Sequence, residues 1–170
     1  CNPAIGGLAK GHMVREIDAL GGVMGQNTDA TAIQWRMLNA GKGPSVRAPR
    51  AQCDKKAYQF RIKRIIEGMP GLDLHQGNVA TIMVENDKVR GVQTSLQMEI
   101  RAKSVILSAG TFMRGLMHVG LRNEKGGRMG DATSTVSESL KELGFEIDRF
   151  KTGTPCRLNG RSLDFSKCER

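Results

Sequence analysis

Residues 1–52 begin with CNPAIGGLAKGH (1–12), continue through REIDALGG (15–22) and end with IQWRMLNAGKGPSVRAPRAQ (33–52). A Cys-Asn-Pro turn and a glycine pair precede a helix-sized segment, and a loop rich in Gly and Pro follows it. Glycine lets backbone pass close to a bound group, and cations beside such backbone favour a phosphate or nucleotide. The candidate phosphate contacts are the basic residues of this loop, Lys42, Arg47 and Arg50.

The first half of the chain contains two helical patterns. Apolar residues at helical spacing predict a helix from Leu8 to Leu20, which the glycine pair at 21–22 ends. Residues 25–49 carry several Gly and Pro residues and are predicted to be irregular. A second apolar stripe predicts a helix from Arg50 to Glu67.

The second half contains strand patterns. Alternating and β-branched residues predict an antiparallel three-stranded meander from Val79–Val84, Val89–Thr94 and Met98–Ala102. The short apolar run at 104–107 predicts a buried parallel strand that opens into the turn 109–112. A helix is expected from Thr133 to Leu143, ended by Gly144, and a weaker pattern at 145–150 predicts a further strand.

The composition is that of a globular chain. The 170 residues are 39% hydrophobic and 25% charged, and no apolar run approaches the roughly 18 residues of a membrane span. The four cysteines lie far apart and form no CxxC pair, so neither a zinc site nor a disulfide framework is expected. The chain starts inside a motif and without Met, and we expect an internal piece of a longer protein.

Positive charge is concentrated in one window. The net charge of the chain is +9, and residues 36–64 hold nine basic residues against the single acid Asp54. Trp35, Tyr58 and Phe60 border or interrupt this window. Such a focused patch suits a polyanion such as RNA. A solvated helix face with arginines that support loops is the alternative interpretation.

The dinucleotide fingerprint G-x-G-x-x-G is missing. Gly41 and Gly43 have the spacing of its start, but Val46 occupies the place of the third glycine. A complete adenine-binding half of a dinucleotide site is therefore not expected from these residues.

Several long blocks together resemble one family. Beside CNPAIGG, they are VILSAGTF at 105–112, HVGLRNEKGGRMGD at 118–131 and LGFEIDRFKTGTPCRLNGRSLDFS at 143–166. These blocks are similar, in the same order, to those of the MnmG (GidA) family of flavoproteins. That family helps to build the 5-carboxymethylaminomethyl group on the wobble uridine of certain tRNAs.

The resemblance implies an α/β fold. The chain would be part of a Rossmann-like flavoprotein with two dinucleotide-binding domains and an antiparallel β-meander. Residues 1–155 would form a partial FAD-binding domain, without its first strand and G-x-G-x-x-G. Residues 156–170 would begin the nicotinamide-binding insertion.

The resemblance also implies a function. The parent enzyme would bind FAD, take electrons from NADH and a one-carbon unit from methylenetetrahydrofolate, and modify tRNA. It would act as a homodimer with the MnmE GTPase. It would be cytoplasmic in a bacterium, or mitochondrial in a eukaryote, with no membrane attachment. The isolated piece is expected to be inactive.

Site residues follow from the matched positions. Cys1 is the candidate catalytic thiol, or a small residue packed in a turn. The candidate cofactor contacts are Asn2, Pro3, Gly6, Gly7, Val79, Gly110, Thr111 and Ser134. The loop cations Lys42, Arg47 and Arg50 are candidates for flavin phosphates, for the tRNA backbone or for internal ion pairs. No metal site is expected.

Two other functional classes stay open. A related folate- and FAD-dependent tRNA methyltransferase shares the cofactors, although the CNPAIGG block favours the first family. A non-catalytic RNA-binding piece would rest on the basic window alone. Binding to RNA backbone without flavin dependence would distinguish this piece by its steep loss of affinity with salt.

Overall fold

The computed structural model describes residues 3–8, 10–128, 130–151, 153 and 158–167. The chain divides into two units, Cys1–Gln76 and Gly77–Arg170. The domain boundary predicted near Cys156 lies outside the described residues and stays a prediction. In the described ranges, no helix is long and apolar enough to cross a membrane.

The first helix, α1, spans Gly11–Ala19 and confirms the predicted helix over a shorter range. It begins where the Gly11 N–H donates to the Gly7 carbonyl at 2.8 Å. Gly21 lies just beyond the end of the helix, and its φ of 81° reverses the chain. The Gly21 N–H donates to the Asp18 carbonyl at 2.9 Å. The glycine pair thus ends the helix as predicted.

A second helix, α2, spans Val23–Thr31, where an irregular segment was predicted. That prediction is wrong because α2 buries polar residues, Asn27, Thr28 and Thr31, rather than an apolar stripe. The Thr31 hydroxyl donates to the Asn27 carbonyl at 2.7 Å, and the Asn27 amide donates to the Tyr58 carbonyl at 3.2 Å. Hydrophobic periodicity cannot detect a helix that is anchored by hydrogen bonds.

Three antiparallel strands complete the first unit. They are β1 (Ala4–Gly6), β2 (Ala32–Leu38) and β3 (Ala48–Cys53), with β3 between the other two. Of the predicted breakers, Gly41, Gly43 and Pro44 lie in the connection between β2 and β3, which contains a 3-10 turn at Pro44–Val46, whereas Pro49 lies within β3. The small residues of β3 form the core of this sheet, and Cys53 is fully buried.

The third helix, α3, spans Lys55–Glu67 rather than starting at Arg50. The preceding residues pair with strands on both sides, so their backbone groups are already satisfied. Asp54 caps α3, since its carboxylate accepts the Ala57 N–H at 2.7 Å. Gly68 ends the helix and donates to the Arg64 carbonyl at 3.1 Å.

The predicted meander is confirmed in the second unit. Its strands are β4 (Val79–Glu85), β5 (Lys88–Thr94) and β6 (Glu99–Arg101), paired antiparallel in this order. Asn86 and Asp87 both have positive φ, 50° and 58°, as a tight hairpin turn requires.

A hairpin and a helix follow the meander. The hairpin, which the sequence patterns did not predict, joins β7 (Leu116–Val119) to β8 (Arg122–Lys125). The predicted helix is confirmed as α4, Val136–Glu142, and Gly144 follows it with φ 87°. Helix α4 contacts β4, and Val136 and Ile82 are the buried apolar residues of this unit among those described.

The parallel strand predicted at 104–107 is not formed. Ile106 is 90% exposed, and no strand in the described ranges pairs with this segment. The weaker strand at 145–150 is also absent. An apolar run becomes a buried parallel strand only when neighbouring strands supply its backbone partners, and sequence periodicity does not report such partners.

Close backbone contact fixes the turn between β1 and α1. A Cβ atom built on Gly6 would lie 2.2 Å from the Pro49 carbonyl oxygen, and Gly6 has φ +95°. The next N–H, that of Gly7, donates to the same oxygen at 2.9 Å. The packing of β1 on β3 therefore requires glycine at this position.

We predict that Gly6→Ala lowers the free energy of unfolding by about 3 kcal/mol or more, because of the steric overlap and the left-handed backbone. The matched control is Gly11→Ala, whose Cβ would meet no atom within 4 Å. It should change stability by less than about 1 kcal/mol. Urea denaturation followed by fluorescence of Trp35, the one Trp of this chain, measures both. Equal stability of the two variants would contradict the prediction.

Candidate functional site

The predicted site residues fall into two groups. Pro3, Gly6 and Gly7 lie at β1 in the first unit. The loop cations Lys42, Arg47 and Arg50 follow β2 in the same unit. The second group, which we call the Ser134 cluster, lies in the second unit and consists of Val79, Gly110, Thr111 and Ser134. Cys1 and Asn2 lie outside the described residues.

Ser134 is the centre of its cluster. Its hydroxyl donates to the Val79 carbonyl, and it accepts the Val136 N–H at 3.2 Å. Two candidate contacts that are 55 residues apart in sequence thus touch directly. Ser134 also satisfies one of the free N–H groups at the start of α4.

The turn 109–112 is held against Ser134 by backbone hydrogen bonds. The Ser134 N–H donates to the Phe112 carbonyl at 2.8 Å, and the Ser134 carbonyl accepts the Arg114 N–H at 2.9 Å. Gly110, at the tip of the turn, has φ +57°, and a Cβ there would meet no atom within 4 Å. The turn is therefore fixed on one side and open at its tip.

Thr111 connects the turn to the segment after β8. Its hydroxyl donates to the Gly127 carbonyl at 3.0 Å. Cβ atoms built on Gly127 and Gly115 would lie 2.6 Å and 2.3 Å from the Thr111 carbonyl oxygen. Gly115 and Gly127 were not predicted as site residues, although the Gly-Gly pair at 126–127 was a visible signal.

Two further residues position the cluster. Arg114, with φ 45°, forms a 2.8 Å ion pair with Glu138 of α4. Ser139, which is buried, accepts the Ile82 N–H from β4 at 3.0 Å. Sequence patterns did not single out either residue, because each acts through a long-range partner.

One buried polar atom in this region lacks a partner. The Ser137 hydroxyl is buried and makes no hydrogen bond among the described residues. It lies in the first turn of α4, three residues after Ser134. A buried hydroxyl without a partner is uncommon, and it adds a donor to this end of the helix.

In the first unit, β1 residues have structural partners. The Pro3 carbonyl accepts the Cys53 N–H at 2.9 Å. Gly6 and Gly7 approach Pro49 as described above. These contacts account for the Pro and the glycines without a ligand, and their contact with a cofactor stays a prediction.

The three loop cations differ in their surroundings. Lys42 and Arg47 lie in the connection between β2 and β3, where the Arg47 Nε donates to the Ala40 carbonyl at 3.2 Å. Arg50 lies on β3 and donates to the Gln52 side chain at 3.1 Å. Among the described residues, none of the three forms an ion pair, so the alternative of internal ion pairing is not formed there.

Each unit contains one cavity of interest. A cavity of about 190 Å³ in the first unit lies between α1, α2 and the sheet, lined by apolar residues such as Ile5, Trp35 and Ala51 and by the charged Arg15, Asp18 and Asp29. Among the described residues, Gly6 is a predicted site residue on its wall. In the second unit, a cavity of about 500 Å³ is lined by Lys88, Val89, Arg90, Lys103, Ser104 and Val105.

The structure offers no metal centre in the ranges that it describes. No group of three His, Cys, Asp or Glu side chains lies close enough to hold an ion there. Cys53 is a free, buried thiol. Cys1, Cys156 and Cys168 lie outside these ranges.

The whole chain matches one family model. The model for glucose inhibited division protein A matches residues 1–170.

Named relatives agree with this match. The chain is 58% identical over 170 residues to the tRNA uridine 5-carboxymethylaminomethyl modification enzyme MnmG of Geobacter sulfurreducens. It is 55% identical over 170 residues to the enzyme of the same name from Chlamydia trachomatis. The first match covers 99% of this chain and 27% of the relative, so the chain spans about a quarter of the length of the curated relatives that it matches.

Solved structures show the same fold. GidA of Aquifex aeolicus matches with a TM-score of 0.88 and 47% identity, covering 98% of this chain and 28% of that protein. The GidA-related protein from Thermus thermophilus matches 58% of the chain with a TM-score of 0.52 and 29% identity. A family model that matches every residue, with these relatives, shows that the chain belongs to the glucose inhibited division protein A (GidA) family.

Proposed function

We propose that this chain is part of an enzyme that adds the 5-carboxymethylaminomethyl group to the wobble uridine of tRNA. The observation that carries the proposal is the match of 99% of the chain, at 58% identity, to an enzyme named for this modification. The Ser134 cluster supports it, because residues that resemble cofactor contacts of the family lie together there.

The Ser134 cluster fits the edge of a bound FAD. Gly110 leaves open space at the tip of its turn, where a ring or sugar can approach the backbone. FAD, when bound, would supply the electron-transfer chemistry of the reaction.

The residues of the cluster would act by positioning. Ser134 holds the Val79 carbonyl and the first turn of α4 in one place, while Thr111 ties the turn to Gly127. A contact surface made of such fixed backbone binds a ligand with little loss of conformational freedom.

Cys1 is the proposed nucleophile. A thiolate that attacks C6 of the uridine forms a C–S bond, and the electron pair of the C5–C6 double bond moves onto the O4 carbonyl oxygen. C5 then becomes a nucleophile for a one-carbon electrophile. Later loss of the C5 proton would return the electron pair, break the C–S bond and release the thiolate.

The remaining components of the reaction are part of the same proposal. NADH would reduce the FAD, methylenetetrahydrofolate would give up its one-carbon unit and leave as tetrahydrofolate, and glycine or ammonium would supply the amine. The protein would act in the cytoplasm as a homodimer with the MnmE GTPase. Lys42, Arg47 and Arg50 would contact phosphates, and their lack of ion pairs among the described residues leaves them available.

The folate-dependent tRNA methyltransferase is the nearest alternative activity. It would give 5-methyluridine rather than the longer substituent. Mass spectrometry of nucleosides from tRNA treated with the full-length protein, NADH, methylenetetrahydrofolate and glycine distinguishes the two products. A non-catalytic RNA-binding protein would bind the tRNA and leave both masses unchanged.

The visible absorption spectrum of the full-length protein is the first test. A flavin band, present on purification or after addition of FAD, is the expected result. A protein that stays colourless and does not change the FAD spectrum would refute the flavoenzyme proposal and leave the RNA-binding alternative.

We predict that Ser134→Ala weakens FAD binding by about tenfold, since the alanine releases both Val79 and the start of α4. The matched control is Ser139→Ala, which removes a buried hydroxyl of α4 itself. Loss of the Ile82 hydrogen bond should lower the unfolding free energy by about 1–3 kcal/mol while native protein binds FAD as before. Fluorescence titration of FAD measures both affinities. Equal FAD affinity in Ser134→Ala and the unsubstituted protein would count against this role.

We predict that Cys1→Ser reduces tRNA modification by at least about a hundredfold and leaves FAD content unchanged, because a serine hydroxyl does not ionise at neutral pH. Cys53→Ala is the control, since Cys53 is a buried thiol of the core. It should keep the modifying activity at a temperature where it is folded. Modified nucleosides are counted by mass spectrometry. Full activity of Cys1→Ser would show that the thiol has another role.

A further inference from the structure

Two arginines face each other across the first sheet. The register of β2 and β3 places Arg36 directly opposite Arg50, and Gln34 directly opposite Gln52. Opposed residues of an antiparallel pair point to the same side, with Cβ atoms about 4.5–5.5 Å apart. We call the surface formed by Gln34, Arg36, Arg50 and Gln52 the arginine face.

The arginine face is the side of the sheet that α1 and α2 leave uncovered. The alternate residues Trp35, Pro49 and Ala51 point to the other side and line the cavity beneath the two helices. Arg36 and Arg50 are exposed. On the β1 side, Arg50 is opposite Gly6, which has no side chain. Within the described part of unit 1, the exposure of Arg36 and Arg50 leaves both side chains accessible to a ligand.

The charges of the arginine face are not neutralised by the described part of the chain. Neither arginine forms an ion pair there. Arg50 donates a hydrogen bond to the neutral side chain of Gln52 at 3.1 Å. Like charges directly opposite each other destabilise a sheet. The two guanidinium groups are planar, carry five N–H donors each, and lie opposite each other at a cost in stability. A bound oxyanion explains this arrangement best.

We propose that the arginine face binds the phosphodiester backbone of RNA. The proposal rests on the proposed tRNA-modifying function and adds Arg36, Gln34 and Gln52 to it. A dinucleotide pyrophosphate is typically held by free backbone N–H groups at a helix N-terminus. Strand β3 has no such groups to spare, because β1 and β2 pair with it on both sides. Arginine and glutamine side chains are the groups that contact sugar and phosphate in nucleic-acid complexes.

The test uses the full-length protein and an unmodified tRNA substrate. We expect Arg36→Gln and Arg50→Gln each to weaken tRNA affinity by about tenfold at low salt. Each substitution should also reduce the slope of log affinity against log salt by about 0.7–0.9. Arg36→Lys, which keeps the charge without the planar fork, should keep the salt slope and lose part of the affinity. Fluorescence anisotropy at several salt concentrations measures these values.

Arg101→Gln is the matched control. Arg101 is an exposed arginine on a strand of the second unit, and its removal changes the net charge equally. It should bind tRNA as the unsubstituted protein does. FAD titrations should give the same affinity in all four variants, since the arginine face is proposed for RNA and not for the cofactor. Loss of FAD affinity in Arg36→Gln or Arg50→Gln, with tRNA affinity kept, would assign the phosphate to the cofactor and overturn the proposal.

Thermal stability separates a ligand site from a structural contact. Relief of repulsion should keep or raise the melting temperature of ligand-free Arg36→Gln. A clear fall in melting temperature with unchanged tRNA affinity would overturn the proposal, because it would mean that another part of the protein pairs with these arginines.

The proposed enzyme activity and the arginine face are tested by separate measurements, tRNA modification and tRNA affinity. If the unsubstituted protein modifies tRNA while both glutamine variants bind as tightly as it does, the arginine face fails and the proposed function stands. If no modification occurs but both variants lose tRNA affinity, the arginine face stands and the enzyme proposal fails. An unsubstituted protein that does not bind tRNA overturns the arginine face directly.

Discussion

Both units depend on places where two backbone segments approach so closely that no side chain fits between them. At Gly6 the turn from β1 into α1 rests on the Pro49 carbonyl, and at Gly127 the segment after β8 rests on the Thr111 carbonyl. Each contact joins segments that are far apart in sequence. The first region was predicted as a ligand site partly because it is rich in glycine, and Thr111 of the second was a predicted cofactor contact, although Gly127 was not. The structure shows that part of this glycine serves packing, which is compatible with a ligand on the open side.

Buried polar groups perform much of the anchoring that an apolar core performs elsewhere. Thr31 and Asn27 fix α2, while Ser134 and Ser139 fix α4 to β4. A buried hydrogen bond has a direction, so it specifies register and orientation more sharply than an apolar contact does. This explains how Val79 and Ser134 are held in one place, and why their position depends on few atoms.

Tertiary structure divides the basic window of residues 36–64 into parts with different roles. Arg47 supports the connection between β2 and β3 through the Ala40 carbonyl. Lys63 pairs with Glu67 along α3 at 3.4 Å, an exposed contact that adds little stability. Arg36 and Arg50 face each other across two strands. The proposed surface for a polyanion is therefore formed by strand register rather than by a continuous basic helix.

Local patterns in the sequence were enough to predict α1, α3, α4 and the meander, because apolar periodicity and glycine stops are local signals. The sequence also determined the family, since long blocks of unusual residues keep their order. Long-range contacts, in contrast, determine that residues 23–38 form α2 and β2, that 104–107 stays unpaired, and that Val79 contacts Ser134. These features depend on hydrogen-bond partners that lie tens of residues away, and no local pattern identifies such partners. The same reason applies to Arg36, whose position opposite Arg50 follows from register alone.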